Sequence, residues 1–194
     1  MEALELFLER YDAVQIDFVE QIFTGLTEDD VRRRPHDLNS IAWLVWHVAR
    51  VQDAVVSRFV ADRPQVLDEG DWRRRLAIAR CDVGSGMTGE EVSALSAAIV
   101  IPALRAYQSA VAERTKVIAM DLRPAAWDEV VPPERVRQVV AGEQLLIEAG
   151  RWVADFWAGA RRRGWLLLQV GLLHPYGHWF DALVTRGALD GKSQ

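Results

Sequence analysis

His174 and His178 stand four residues apart in the segment His174-Pro175-Tyr176-Gly177-His178, within an apolar stretch bounded by Gly164 and Gly187. On a helix that spacing puts two imidazoles on one face, one turn apart, where their ring nitrogens can converge on a single ion. A third histidine, His47, lies in the middle of another strongly apolar stretch, residues 39–60. Brought alongside the pair, it completes a three-histidine site with an open coordination position. Taken alone, His47 reads more readily as a hydrogen-bonded core residue. The pair is the stronger signal, because burying imidazoles on adjacent turns demands two partners or a purpose.

Asp181 continues the stripe three residues past His178. It suits a fourth ligand, an acceptor that orients an imidazole, or a salt-bridge partner. The segment is not a H-E-x-x-H protease motif, since Pro175, Tyr176 and Gly177 leave no general-base glutamate between the histidines. Pro175 removes one helix hydrogen bond and presses on the carbonyl of Gly171, which predicts a kink at the site. Three neutral ligands around Zn²⁺ or Ni²⁺ leave room for a thiol, activated as its thiolate, or for water. The first outcome is thiol transfer and the second hydrolysis.

Around the triad, Asp181 and Tyr176 are the candidates for proton transfer. Arg50, one turn past His47, suits either an anionic substrate or a helix-end ion pair. Trp43 and Trp46 are candidate pocket walls, with at least one of them expected in the core. His36, between Pro35 and Asp37, falls outside the site. No G-x-S-x-G occurs, and Gly84-Ser85-Gly86 lacks the Lys-Ser/Thr ending of a phosphate loop.

The elements that must position these residues are helices. Leu4, Phe7, Leu8, Tyr11, Val14, Phe18 and Ile22 recur at spacings of three and four, which predicts an amphipathic helix over 3–25. Thr27 with Asp30 resembles an N-cap, and Arg32-Arg33-Arg34 before Pro35 reads as a solvated turn. Asn39 or Ser40 caps the next helix, which is apolar nearly all round and ends at Asp62-Arg63-Pro64. Residues 65–87 form a crossover with a short helix. The capping box Thr88-Gly89-Glu90-Glu91 opens a long helix to about Leu122, kinked or split by Pro102. Residues 134–160 read as helical after the Pro132-Pro133 linker. The last helix runs from Gly164 to about Arg186, with Gly187 as its cap and residues past Leu189 frayed. No segment alternates with period two between turn residues. Residues 1–190 therefore read as one all-α domain, a four-helix bundle with a long crossover and short accessory helices.

Half of the 194 residues are apolar, enough for a sizeable core, and the net charge of −5 disfavours nucleic acid. A single cysteine, Cys81, rules out an intramolecular disulfide framework and fits a reducing cytoplasm. The start of the chain is broken up by Glu2, Glu5 and Glu9, unlike a signal peptide, and no apolar run is long enough for a bilayer. The reading is a soluble, cytoplasmic protein with a small-molecule substrate and no membrane or nucleic-acid partner.

The segment Leu38-Asn-Ser-Ile-Ala-Trp-Leu-Val-Trp-His47-Val-Ala-Arg50 resembles the second helix of the DinB/YfiT superfamily. His174-Pro-Tyr-Gly-His178-Trp-Phe-Asp181 is similar to that superfamily's last-helix motif, with Phe180 and Asp181 where Gly and Gln are common. The region from Thr88 to Tyr107 resembles its third helix. This resemblance implies a four-helix bundle with one long crossover, a divalent metal on His47, His174 and His178, and frequent homodimers. It also implies metal-dependent transferases or isomerases that use low-molecular-weight thiols, maleylpyruvate isomerase among them. Two readings follow: a metal-dependent thiol S-transferase-like enzyme acting on a small electrophile, or a non-catalytic helical module with a structural metal or none.

Overall fold

Ser40 sets the start of the helix around which the others pack. Its backbone is extended and its hydroxyl accepts the Trp43 amide hydrogen at 3.0 Å, so of the two candidate caps Ser40 is the one used. In the computed structural model, which describes residues 3–190, the chain is all-α. The fraying expected for residues 191–194 lies outside the described residues. Among those described, β-type pairing is limited to an isolated bridge between Val130 and Arg162.

The helices run in order: α1 (residues 3–23), α2 (Glu28–Arg32), α3 (residues 41–60), α4 (Trp72–Leu76), α5 (Gly89–Ala98), α6 (Ile101–Asp121), α7 (Pro133–Gly142), α8 (Trp152–Trp157) and α9 (residues 163–190). Helices α1 and α3 each pack against both α6 and α9, which sets the frame of the core. Three of these long helices carry a π-helical stretch, at Ala13–Asp17, Ala54–Val60 and Gln169–Leu173. Such widened turns take up an extra residue, often beside a functional site.

Every residue of α3 from Ile41 to Ser57 is buried, as its all-round apolarity predicts. The polar residues among them must then find partners inside the protein. Gln52 donates to the Tyr11 hydroxyl and, at 2.9 Å, to Thr115 Oγ1, tying α3 to α1 and α6.

The expected helix from Thr88 to about Leu122 divides in two. Its capping box forms as predicted, but α5 and α6 meet at an angle of 100° across Ile99-Val100. Pro102 then sits in the first turn of α6, where its missing N–H costs nothing. The basic triplet is also more than a solvated turn. Arg32 donates to the carbonyls of Ser96 (3.0 Å) and Ile99, satisfying the end of α5. Arg34 donates to Leu38 O (3.0 Å), Asp37 O (2.9 Å) and Gly89 O.

Residues 134–160 do not form one helix. Helix α7 stops at Gly142, Gln144 is left-handed (φ 54°), and α8 begins only at Trp152. The break lets Leu145 bury completely while its carbonyl accepts the Val83 amide hydrogen at 3.0 Å. Helix α9 also runs through Gly187 to Asp190 rather than capping there. No single helix among the described residues is long and apolar enough to cross a membrane; α5 and α6 pass only as a bent pair.

Candidate metal centre

His47 is held rigidly. It is 5% exposed, its ring stacks on Trp43 (centroids 4.8 Å apart, planes within 6°), and its Nδ1 lies 2.5 Å from the Val83 carbonyl oxygen. A carbonyl can only accept, so Nδ1 carries the proton and Nε2 presents a lone pair. The Val83 carbonyl is itself fixed. Its own amide is bound to Leu145, and Asp82 accepts from the Gly84 amide at 2.9 Å while pairing with Arg80 at 2.9 Å. Gly84 has φ +87° and lies against Trp46, whose ring carbon would be 2.6 Å from a Cβ at that position. Only glycine meets both demands.

Helix α9 supplies the other two rings. Pro175 leaves the Gly171 carbonyl without its helical donor, and Gln15 Nε2 fills that place at 3.0 Å. Gln15 is in turn held by Gln108, which donates to its carbonyl at 2.9 Å. The expected disturbance at Pro175 is thus taken up by a π-helical stretch ending at Leu173, and the histidines still converge. His174 Nε2 lies 3.2 Å from His47 Nε2. Ring centroids are 5.0 Å apart for His47–His178 and 4.6 Å for His174–His178. One ligand nitrogen from each ring falls within 4.8 Å of the others. His178 Nδ1 donates to Asp181 Oδ2 at 3.0 Å, which frees its Nε2 in the same sense as that of His47.

These residues fit a divalent ion. Two nitrogens bound ~2.0–2.1 Å from a tetrahedral ion are about 3.3–3.4 Å apart, close to the His47–His174 separation. The Nε2 of His174 faces that of His47, while its buried Nδ1 has no hydrogen-bond partner among the described residues, so this ring lacks the outer acceptor that the other two have. Burial pushes the His47 imidazole down to about 3, with His178 adding repulsion against the Val83 bond. Burial likewise holds His174 well below the usual imidazole range, reinforced by His47 and His178. Both are therefore neutral near pH 7, the form that binds metal.

That depression predicts an acid-sensitive fold in the metal-free protein. Between the folded value near 3 and the unfolded 6.5 for His47, the unfolded chain binds the extra proton, so stability rises with pH across that window. It is complete above about pH 6.5 and is lost as pH falls below it, by up to about 1.4 kcal/mol per pH unit for each such histidine. Denaturant melts in chelator at pH 7, 6 and 5 should show the loss. A His47→Gln variant should show a shallower slope; equal slopes would contradict the assignment.

The triad borders a cavity of about 490 Å³. Trp43, Met87, Trp152, Phe156 and Trp157 form much of its wall, with Gly84, Ser85 and Gly86 along one side. A Cβ on Gly150 would lie 2.3 Å from the Ser85 carbonyl oxygen, so that loop and the start of α8 touch backbone to backbone. This contact is what carries the α8 aromatics over the histidines.

Of the residues expected in the site, His47, His174, His178 and Trp43 come together. Trp46 does not: it is fully buried core behind Gly84. Arg50 does not line the cavity; it forms an ion pair with Asp53 at 3.4 Å, as one reading expected, but inside the protein. It is 1% exposed and donates to Gln65 Oε1 (2.9 Å), Tyr107 Oη (3.1 Å) and Cys81 O (2.8 Å), away from the cavity. Tyr176 lies outside the cavity, stacked on Phe18 at 6.2 Å. Asp181 is exposed and engages His178 from behind. The α8 aromatics were not singled out from sequence; Trp152 and Phe156 are spaced i, i+4, a signal that gains meaning only once the helix is placed.

Comparison with known proteins agrees with the fold. A crystal structure of a conserved protein from Enterococcus faecalis is similar in fold, with TM-score 0.75 and 19% identity over 98% of this chain and 99% of that one. Among curated proteins none matches. Residues 12–150, which carry His47 and end before His174, match the DinB superfamily. With a match over most of its length and a three-histidine cluster suited to a metal ion, the chain belongs to the DinB superfamily.

Proposed function

We propose that the chain binds one divalent ion, zinc or nickel, through His47, His174 and His178, and works in the cytoplasm as a thiol S-transferase-like enzyme on a small electrophile. The observation that carries this reading is the pair of outer acceptors. Val83 O and the Asp181 carboxylate each take an Nδ1 proton, turning two Nε2 lone pairs toward the third histidine beside a cavity. Metal-binding histidines are oriented in this way.

When bound, a divalent ion supplies Lewis acidity, which lowers the pKa of a low-molecular-weight thiol so that thiolate is present near neutral pH. The chain's residues do the rest. His47 and His178 hold their tautomers against Val83 and Asp181. Trp43 fixes the plane of His47 by stacking, and the α8 aromatics line the cavity beside the histidines. Transfer would then form one sulfur–carbon bond and break the carbon–leaving-group bond, the thiol proton passing to solvent. The alternative, a non-catalytic module with a closed metal, has less behind it: Asp181 is committed to His178 Nδ1, and the histidines face a cavity. A homodimer, implied by the resemblance, draws support from an exposed apolar stripe of Leu173, Tyr176, Phe180 and Val184 on α9.

The test is thioether formation from an aryl chloride and a panel of small thiols. The expected result is a rate abolished by chelator, restored by zinc or nickel, and absent in His47→Ala. A zinc-loaded protein that never exceeds the uncatalysed rate with any thiol would leave the binding-module reading in its place.

A further inference from the structure

The cavity over the histidines has an unusual lining: among the described residues its walls carry no lysine, arginine, aspartate or glutamate. What faces the histidines is the ring system of Trp43, Trp152, Phe156 and Trp157, with Met87 beside them. Neutral polar groups come from Asn39, Ser85 and Gln169. Two of the rings reach solvent: Trp152 is 69% exposed, and Phe156, which also packs edge-on against Trp165 at 5.5 Å, is 37% exposed. They lie on one face of α8, one turn apart, at the edge of an apolar space that a small molecule could fill.

We infer that this cavity takes an uncharged, largely apolar aromatic compound, and that Trp152 and Phe156 set that preference by covering it. The inference rests on the proposed function only in treating that compound as the electrophile. A ring in the cavity removes both exposed aromatics from water and gains offset or edge contacts with them. A carboxylate there would lose hydration with no cationic side chain to replace it. The ion proposed at the histidines could answer one such charge, but a dicarboxylate would leave its second unpaired. Met87, an adaptable side chain, suits a site that accepts a range of ring shapes.

Naphthol and naphthoate share a ring system and differ in charge at neutral pH, so calorimetric titration with each separates the possibilities. In chelator-treated protein, naphthol is expected to bind saturably at one site per chain and naphthoate about tenfold or more weakly. Trp152→Ala should weaken naphthol about tenfold while leaving the melting temperature and zinc uptake unchanged, because the side chain is mostly in solvent. Trp152→Phe should recover part of the loss. Absence of saturable naphthol binding, equal binding of naphthoate to the metal-free protein, or an unaltered affinity in Trp152→Ala would each overturn the inference. Zinc titration is read separately: a chain that binds naphthol and no zinc keeps the cavity's preference and loses the proposed enzyme.

Discussion

Replacing His178 by alanine should take the zinc content of the purified protein from about one ion per chain to nearly none. The ring is one of the three proposed ligands and holds no part of the core together; it lies half-buried, with its Nδ1 on an exposed carboxylate. Disturbing an outer partner of a metal-bound histidine already costs 10–100-fold in affinity, so loss of the ligand itself should cost roughly a hundredfold or more. Asp181→Asn tests the outer partner and should weaken zinc by about tenfold, since the amide still accepts from Nδ1 but carries no charge. Elemental analysis and competition with a chromophoric chelator measure both. The fold should survive in each variant, so a helical spectrum with low zinc is the expected combination. His178→Ala protein that holds zinc as tightly as its parent would show that the ion, if any, sits elsewhere.

The histidines were legible before the fold because their chemistry depends on spacing along a helix, and i, i+4 spacing is local information. The caps at Ser40 and Thr88 are local too, each settled by a side chain and an amide three residues on. What escaped the sequence is long-range. For Arg50 the ion-pair reading was local, through Asp53 three residues on, but its burial was not: its other partners lie 15, 31 and 57 residues away at Gln65, Cys81 and Tyr107. The break after α7 has the same origin. Nothing near Gln144 demands a left-handed residue, but the Leu145 carbonyl must reach Val83, in the loop that orients His47. The cavity wall on α8 depends on Gly150 touching Ser85, a backbone contact that leaves no periodic trace. The resemblance to the DinB superfamily supplied the convergence of His47 with the pair; local pattern alone left His47 a core residue.

Asp53→Ala should be severely destabilising. The carboxylate is fully buried and accepts from the amides of Val66 (2.8 Å) and Leu67 (2.9 Å), the Ser57 hydroxyl (3.1 Å) and the Tyr107 hydroxyl (2.7 Å). It also faces Arg50 Nη1 at 3.4 Å, in a pair whose guanidinium Nε has no partner of its own among the described residues. Alanine would leave a buried cation uncompensated and two backbone amides unpaired, a loss of about 3–5 kcal/mol. For a chain of this size that is a fall in melting temperature of roughly 10 °C. Arg50→Met alone should be similarly harmful, whereas Arg50→Met with Asp53→Leu should cost less than the sum, because no charge remains buried without its partner. The effect should also reach the histidines. Arg50 holds the Cys81 carbonyl, two residues before the Val83 carbonyl that fixes His47, so loosening the pair loosens the loop behind the metal. Denaturant melts with and without zinc separate the two consequences: a stability loss in both forms, larger with zinc because weakened affinity reduces the stabilisation that bound metal contributes. A loss below about 1 kcal/mol in the metal-free form would mean that water or a rearranged Arg50 replaces the carboxylate, and that the crossover is anchored by its apolar contacts alone.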